Sequence, residues 1–493
     1  MTASQAPVSE TGVRYRDLRD FIKRVEGFGE LRRISGANWQ REIGALTEIN
    51  ARRADCKALL FDDIPGYPSG FRVLSSSANT ARRLGLSLRI PATSTAELVT
   101  ALRGGRITTW QNQSREFPPE FVTDGPVFEC VQEGAQVDLE GFPAPVWHDQ
   151  DGGRYIGTGD AIITADPETG WTNMGCYRCM VTGKNQISLW MATHGRHGYQ
   201  HIHADWARGK PAPIVVTLGQ DPLLSPVLAG MELHEGVSEL NVAGAIMGEP
   251  LRVVRGPITG LPIPADAEIA IEGWVREGVE CEEGPHGEGT GYYAGGKHMV
   301  PAIEVAAVYH RRDPIIVGAP PGKPPHDFSY SSAVTRAALI HDGLDAAGLP
   351  GVVRVWCPPS GSARLLNIVV LKQRYFGHSK QAGLLASQVQ AAAYLGRMTI
   401  VVDDDINPED LGEVLWAVTT RAEPTRDYTI LDHLWGSPID PLRVLYPEDT
   451  MYSSRVIIDA CRPFEHRADF PPVAASSPEL LAEVWDKWRR EFE

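Results

Sequence analysis

Two segments hold residue types that could move a proton together. Asn173-Met-Gly-Cys-Tyr-Arg178 ends in a guanidinium, and Glu283-Gly-Pro-His-Gly-Glu288-Gly-Thr-Gly-Tyr-Tyr293 sets two carboxylates five positions apart. Gly284, Pro285 and Gly287 exclude regular helix between the acids, because proline lacks a donor and glycine favours turns. Such a loop can aim both acids at one point, with Arg178 pairing one of them. One carboxylate held ionised and a second free to carry a proton make proton-transfer machinery. The same residues could instead form a surface salt bridge on a glycine-rich turn.

A second cluster lies between these segments, His194-Gly-Arg-His-Gly-Tyr-Gln-His201-Ile-His203. Imidazole clusters of this kind bind metals, phosphates or both. Gly195 and Gly198 would let backbone N–H groups approach an anion closely. Asn173 and Glu239 add oxygen ligands that hard divalent ions prefer, so a site of one Asn, one carboxylate and one imidazole suits Mn²⁺ or Mg²⁺ better than Zn²⁺. A structural or surface role for any single histidine stays open. Cys176 and Cys179 form the one Cys-x-x-Cys, and no second ligand pair completes a zinc site, so packing is the role expected of them.

These side chains need elements to carry them. With 493 residues and 43% hydrophobic content, the chain can build two or three domains. Asp17 to Val25 has Leu18, Phe21, Ile22 and Val25 at helical spacing. Ala58-Leu-Leu-Phe61 is a buried strand entering the turn Asp62-Asp-Ile-Pro-Gly66, and Ser94-Thr-Ala-Glu97 is a capping box. From about residue 121 to 325, short β-branched runs recur at 161–164, 186–190, 214–217 and 303–309, the signature of an antiparallel sheet or barrel. Proline pairs at 320–321 and 324–325 close that part. Beyond it, helices over 332–347 and 379–395 alternate with strands at 352–356, 365–371 and 398–402, and Asn407 is expected to cap a helix with Pro408 in its first turn. Leu411, Val414, Leu415 and Val418 would share that helix's buried face. The tail, 477–492, reads as an amphipathic helix with Leu481, Val484, Trp485, Trp488 and Phe492, which either packs on its own domain or clamps another subunit. The divisions predicted are 1–120, 121–325, 326–470 and 471–493, in a mixed α/β chain.

A net charge of −15 argues against nucleic acid or an anionic membrane as partner. No run approaches the roughly 18 apolar residues of a membrane span. Residues 1–12 show no apolar core of a secretory signal, and seven scattered cysteines suit a reducing cytoplasm.

The chain resembles the UbiD-type decarboxylases, which use prenylated flavin mononucleotide to remove or add CO2 at unsaturated carbons. The resemblance is carried by Leu18-Arg-Asp-Phe21, Gly29-Glu-Leu-Arg-Arg-Ile34, Leu59-Leu-Phe-Asp-Asp-Ile-Pro-Gly66, Gly153-Arg-Tyr-Ile156 and Asn173 to Arg178. It continues through Ser238-Glu239, Glu283 to Glu288 with Thr290 to Tyr293, and Val402-Asp-Asp-Asp-Ile406 leading to Trp416-Ala-Val-Thr-Thr-Arg421. It implies an N-terminal α/β segment, a split β-barrel that holds the flavin, and a C-terminal α/β domain that dimerises.

By the same resemblance, Arg178, Glu283 and Glu288 are the catalytic group, with Glu288 as proton donor, Glu283 ionised, and Arg178 orienting the substrate carboxylate. Asn173, Glu239 and His197 (His194 being the alternative) would bind Mn²⁺ or Mg²⁺ at the cofactor phosphate, and K⁺ is a further candidate ion. Cys176, Tyr177, Arg178, Trp190, Met191, Gly195, Arg196 and Met231 would line the flavin, and Arg397 would meet its phosphate where the family usually has lysine. A flavin prenyltransferase would supply the cofactor. His326 and the run His433-Leu-Trp435 are candidates for the substrate pocket, suggesting a planar aromatic or heteroaromatic acid over an acrylic one. A split-barrel flavin reductase and a non-catalytic cofactor carrier are the rival classes.

Overall fold

Alternation along the central strands puts consecutive side chains on opposite faces. In the computed structural model, which describes residues 13–191, 195–231, 233–445 and 451–492, both faces are buried. Ile214, Val216, Ile269 and Ile271 join one apolar cluster, while Val215 and Ala270 join another. The second cluster runs on without a break into the C-terminal part through Val334, Val369 and Val401.

These strands belong to a nine-stranded sheet in the order Tyr155–Gly157, Cys179–Gly183, Gln186–Ser188, His298–His310, Ile269–Glu283, Ala212–Leu218, Ala161–Ala165 and Thr172–Gly175, with Cys130–Glu133 paired to His298–His310. Tyr155 and Glu283 lie on strands four places apart, which a flat sheet would separate by about 19 Å. Their side chains meet at 2.8 Å, so the sheet curls on itself into a half-barrel. A register shift between Val275 and Glu280 bends the long strand where the curl needs it. Fold class is therefore mixed α/β around a curled central sheet.

The helix Leu18–Gly27 forms as its spacing predicts. Asp17 caps it by accepting from the Asp20 amide, and Leu18, Phe21, Ile22 and Val25 pack on Leu60, Leu74 and Val317. Ser94 and Glu97 make the reciprocal capping box of Thr95–Leu102. The N-terminal sheet runs Leu31–Ser35, Ala58–Asp62, Arg72–Ser75 and then Ile315–Gly318, so its last strand comes from beyond the barrel and lies parallel to Arg72–Ser75. In the C-terminal part, Val352–Trp356, Leu366–Leu371, Met398–Asp403, Tyr452–Ala460 and Tyr428–Trp435 form a five-stranded sheet. Buried Arg421 pairs with Asp403 at 3.4 Å and Asp405 at 2.9 Å, tying a helix end to a strand end.

Three expectations need correction. The helix near residue 411 spans Leu411–Arg421 and is capped by Asp410, whose carboxylate accepts from Gly412 and Glu413; Asn407 instead turns the preceding loop by accepting from Glu409 N–H. Asn407 and Asp410 are both cap-forming residue types, and the one adjacent to the apolar run holds the cap. Leu415 is exposed, because the face turned to the sheet carries Leu411, Val414, Ala417 and Val418. The tail helix Pro478–Trp488 forms but buries nothing, so it does not pack on its own domain.

Trp147 is buried between the N-terminal sheet and the barrel, and a Cβ at Gly318 would sit 2.0 Å from its ring. Gly318→Ala should therefore destabilise the chain by about 1–3 kcal/mol, read by urea denaturation.

Candidate active site

Arg178 leaves the barrel just before the strand Cys179–Gly183, and Glu283 is the last residue of the long strand Ile269–Glu283. The segment that follows turns sharply. The Glu288 amide donates to the Tyr292 carbonyl at 2.9 Å, the Gly291 amide donates to Glu288 at 2.8 Å, and the Thr290 hydroxyl donates to the Ile439 carbonyl at 3.1 Å. A Cβ at Gly287 would stand 2.7 Å from the Pro321 carbonyl, so only glycine lets this loop lie flat against the chain that closes the barrel.

The guanidinium is shared. Its Nε and Nη2 face Glu283 at 2.8 Å each, and its Nη1 donates to Glu288 at 2.7 Å. Arg178 also lies 4.8 Å over the Trp190 ring. Glu283 has no solvent exposure, and Glu288 keeps 15% of its side chain open. Burial pushes the Glu288 carboxyl above its ordinary range, and this outweighs the opposing pull of Arg178. Burial opposes the charge of Arg178 too, yet the two carboxylates prevail and raise its pKa.

A cavity of about 280 Å³ opens onto this group. Of the residues expected to line a flavin, it brings together Cys176, Tyr177, Arg178, Trp190 and Arg196. Met191 packs with Tyr177 in the barrel's apolar cluster, and Met231 packs on the helical side. Gly195 is exposed at the approach to the helix His197–Trp206. Arg397 pairs with Asp440 and does not line the cavity, although Leu395 and Ile439 beside the two do. His326 lines it while capping the helix Asp327–Ala346, and burial lowers its pKa to about 4, leaving a neutral ring. His433 and Trp435 do not line it; His433 stacks on Tyr452, and Trp435 meets Tyr394 edge to face.

The expected metal ligands divide. Glu239 begins the helix Glu239–Met247 and accepts from Met174 N–H at 2.7 Å, which brings its carboxyl to the strand that carries Asn173. Both side chains are buried, Asn173 Nδ2 has no partner, and burial raises Glu239 to about 8. A buried carboxyl and the side-chain oxygen of a buried Asn are a donor set that suits a hard cation. His197 rests edge-on against Trp171 at 4.8 Å, and burial lowers its pKa, keeping the ring neutral as a ligand must be. His194 lies outside the described residues. His201 and His203 are taken by Thr164 and Tyr199. Burial pushes the Cys176 and Cys179 thiols up, so they stay protonated packing groups.

Other lining residues were not signalled by the sequence. Phe328, Ser329, Ser362 and Arg364 come from the C-terminal part and complete the wall. No local pattern marks them, because only the docking of the C-terminal part against the barrel makes them neighbours of Arg178.

Comparison with known proteins agrees with this geometry. Three family models cover the chain in order: the 3-octaprenyl-4-hydroxybenzoate carboxy-lyase N-terminal domain over 22–102, its Rift-related domain over 120–324, and its C-terminal domain over 329–460. The chain belongs to the UbiD family and is a carboxy-lyase. An uncharacterised protein of Aquifex aeolicus is 33% identical over 97% of this chain and 99% of its own. A phenolic acid decarboxylase of a Streptomyces species is 30% identical over 94% and 96%. Among solved structures, the UbiD-class enzyme HmfF from Pelotomaculum thermopropionicum with FMN is 28% identical over 95% and 100%, with a TM-score of 0.80. An evolved dimeric form of that enzyme with prFMN is 28% identical over 94% and 97%, with a TM-score of 0.76.

Removing the shared cation leaves a buried carboxylate unpaired. Arg178→Ala should cost about 3–5 kcal/mol of folding stability, measured by denaturant titration.

Proposed function

We propose that the chain catalyses the non-oxidative, reversible decarboxylation of an aromatic or heteroaromatic carboxylic acid, with prenylated FMN as cofactor and Glu288 as proton donor. The observation that carries this is the shared guanidinium: one carboxylate faces two nitrogens of Arg178 at 2.8 Å and accepts from Nη2, and the other accepts from Nη1 with its pKa raised. Departure of CO2 from an sp² carbon leaves an electron pair that no protein side chain absorbs, and the bound flavin would supply that electron sink.

The chain's own residues do the rest. Arg178 orients the substrate carboxylate in the cavity. Glu283 fixes Arg178 by holding two of its nitrogens. Glu288, protonated beside Arg178, delivers its proton to the carbon that CO2 vacates, and accepts one there in the carboxylation direction. Cys176, Tyr177, Trp190 and Arg196 would flank the cofactor, and Asn173, Glu239 and His197 would hold Mn²⁺ or Mg²⁺. Phe328, Leu395 and Ile439 offer apolar surface to a flat ring, while neutral His326 meets a polar ring substituent. The phenolic acid decarboxylase relative supports the aromatic acid, and the FMN and prFMN complexes of HmfF support the flavin. No helix among the described residues is long and apolar enough to cross a membrane.

The mass of the flavin released after co-production with a flavin prenyltransferase tests the cofactor, and CO2 release from a panel of benzoate-type and heteroaromatic acids tests the reaction. Glu288→Gln should lower turnover by at least about a hundredfold while flavin and metal stay bound; normal turnover in that variant would sink the donor assignment. Since the acid form of Glu288 is required, kcat should hold at low pH and fall as pH climbs through its raised pKa, measured across a buffer series.

The tail helix leaves Leu481, Val484, Trp485 and Trp488 open to solvent, and a homodimer would cover them. Truncation after residue 470 should shift the chain toward monomer in sedimentation.

A further inference from the structure

The acid-bearing loop is gripped at three points by one short segment, residues 148–155. Tyr155 is wholly buried, and its hydroxyl donates to Glu283 Oε1 at 2.8 Å, the same oxygen that faces Arg178 Nε. Burial, reinforced by the neighbouring Glu283 charge, pushes this hydroxyl's pKa up, so it remains a donor. The Tyr155 ring stacks on His286, with centroids 3.9 Å apart and planes within 27°. His286 has no solvent exposure, and its Nδ1 stands 3.2 Å from Asp151 Oδ1. Asp151 accepts from the His148 amide at 3.0 Å and from the Tyr293 hydroxyl at 3.3 Å. Burial would raise the Asp151 carboxyl, but the two imidazoles facing it, His148 and His286, outweigh it and hold it well below the ordinary range.

His286 and Tyr293 flank Glu288 in the chain, and Glu283 opens the same loop. A glutamate's last torsion is broad, so a carboxylate held by one guanidinium can still rock with it. A further donor from a ring locked by stacking removes that freedom. We propose that Tyr155 is a positioning residue for the acid–arginine–acid group, held in place by the buried Asp151–His286 pair. Its task is to fix the plane of Glu283, and through Arg178 to aim Nη1 at Glu288. This role rests on the acid–arginine–acid chemistry proposed above.

The test uses holoenzyme co-produced with the flavin prenyltransferase. Carboxylate infrared spectra recorded without substrate give one readout. Tyr155→Phe keeps the ring and the stack, and should shift the band that Glu283→Gln abolishes; an unmoved band overturns the proposal. Turnover gives the other, with 3,4-dihydroxybenzoate as first probe and then any acid of the panel that releases CO2. For Tyr155→Phe, kcat should fall about 10- to 100-fold, the loss expected of one hydrogen bond to a charged group, with KM within about twofold. His286→Phe, which keeps a flat ring but loses the Asp151 contact, should fall in the same direction. Unchanged kcat in Tyr155→Phe, beside an inactive Glu288→Gln, overturns the positioning role alone. A shifted band in Tyr155→Phe beside a fully active Glu288→Gln sinks the proton-donor assignment instead.

Discussion

Two carboxylates enclosed together repel each other, and each resists ionising unless a cation is near. Arg178 is that cation for both, and its geometry makes them unequal. Glu283 receives two of its nitrogens and a phenol, while Glu288 receives one nitrogen and keeps a partly open side chain. The inequality leaves one carboxylate fixed and gives the other a raised pKa, so that it can carry a proton. A lysine would offer a point charge with no fork to divide in this way.

The curl of the central sheet exists in service of that arrangement. Flat, the strands of Tyr155 and Glu283 would stand too far apart to touch, and the strand carrying Cys179 would face solvent. Curled, the sheet buries one face around the barrel's apolar cluster and the other beneath helices that continue into the C-terminal part. The cavity sits where these layers meet, with its polar chemistry from the barrel and much of its far wall from the C-terminal part. The Thr290 hydroxyl, bonded to the Ile439 carbonyl, is a direct link between the two.

Much of this was legible in the residues. Apolar spacing marked the helix at Leu18, the capping box marked the one at Thr95, and β-branched runs marked the central strands. The proline and glycines between Glu283 and Glu288 marked a loop able to converge two acids on Arg178. What stayed hidden depends on distant contact. Nothing near Arg397 announces that Asp440 will claim it, and nothing near Ser362 or Arg364 announces a cavity. Asn407 and Asp410 are both good caps, and only the start of the buried face decides between them. His433 and Trp435 looked like pocket residues by type, but they lie on an edge strand, their rings against Tyr452 of the same sheet and Tyr394 of the chain beside it. Tyr155 sat inside a recognisable motif, yet its bond to Glu283 needs the closure of a sheet that local pattern does not encode.

The strand Ile315–Gly318 carries a consequence for how the chain is made. It completes a sheet whose other strands end by Ser75, and it brings Ile315 and Val317 to the core of the first helix. During synthesis the N-terminal sheet emerges with the edge of Arg72–Ser75 unpaired, and it keeps that open edge until some 240 further residues have left the ribosome. The barrel is threaded between the two halves of one sheet, so a sheet begun before the barrel is finished only after it.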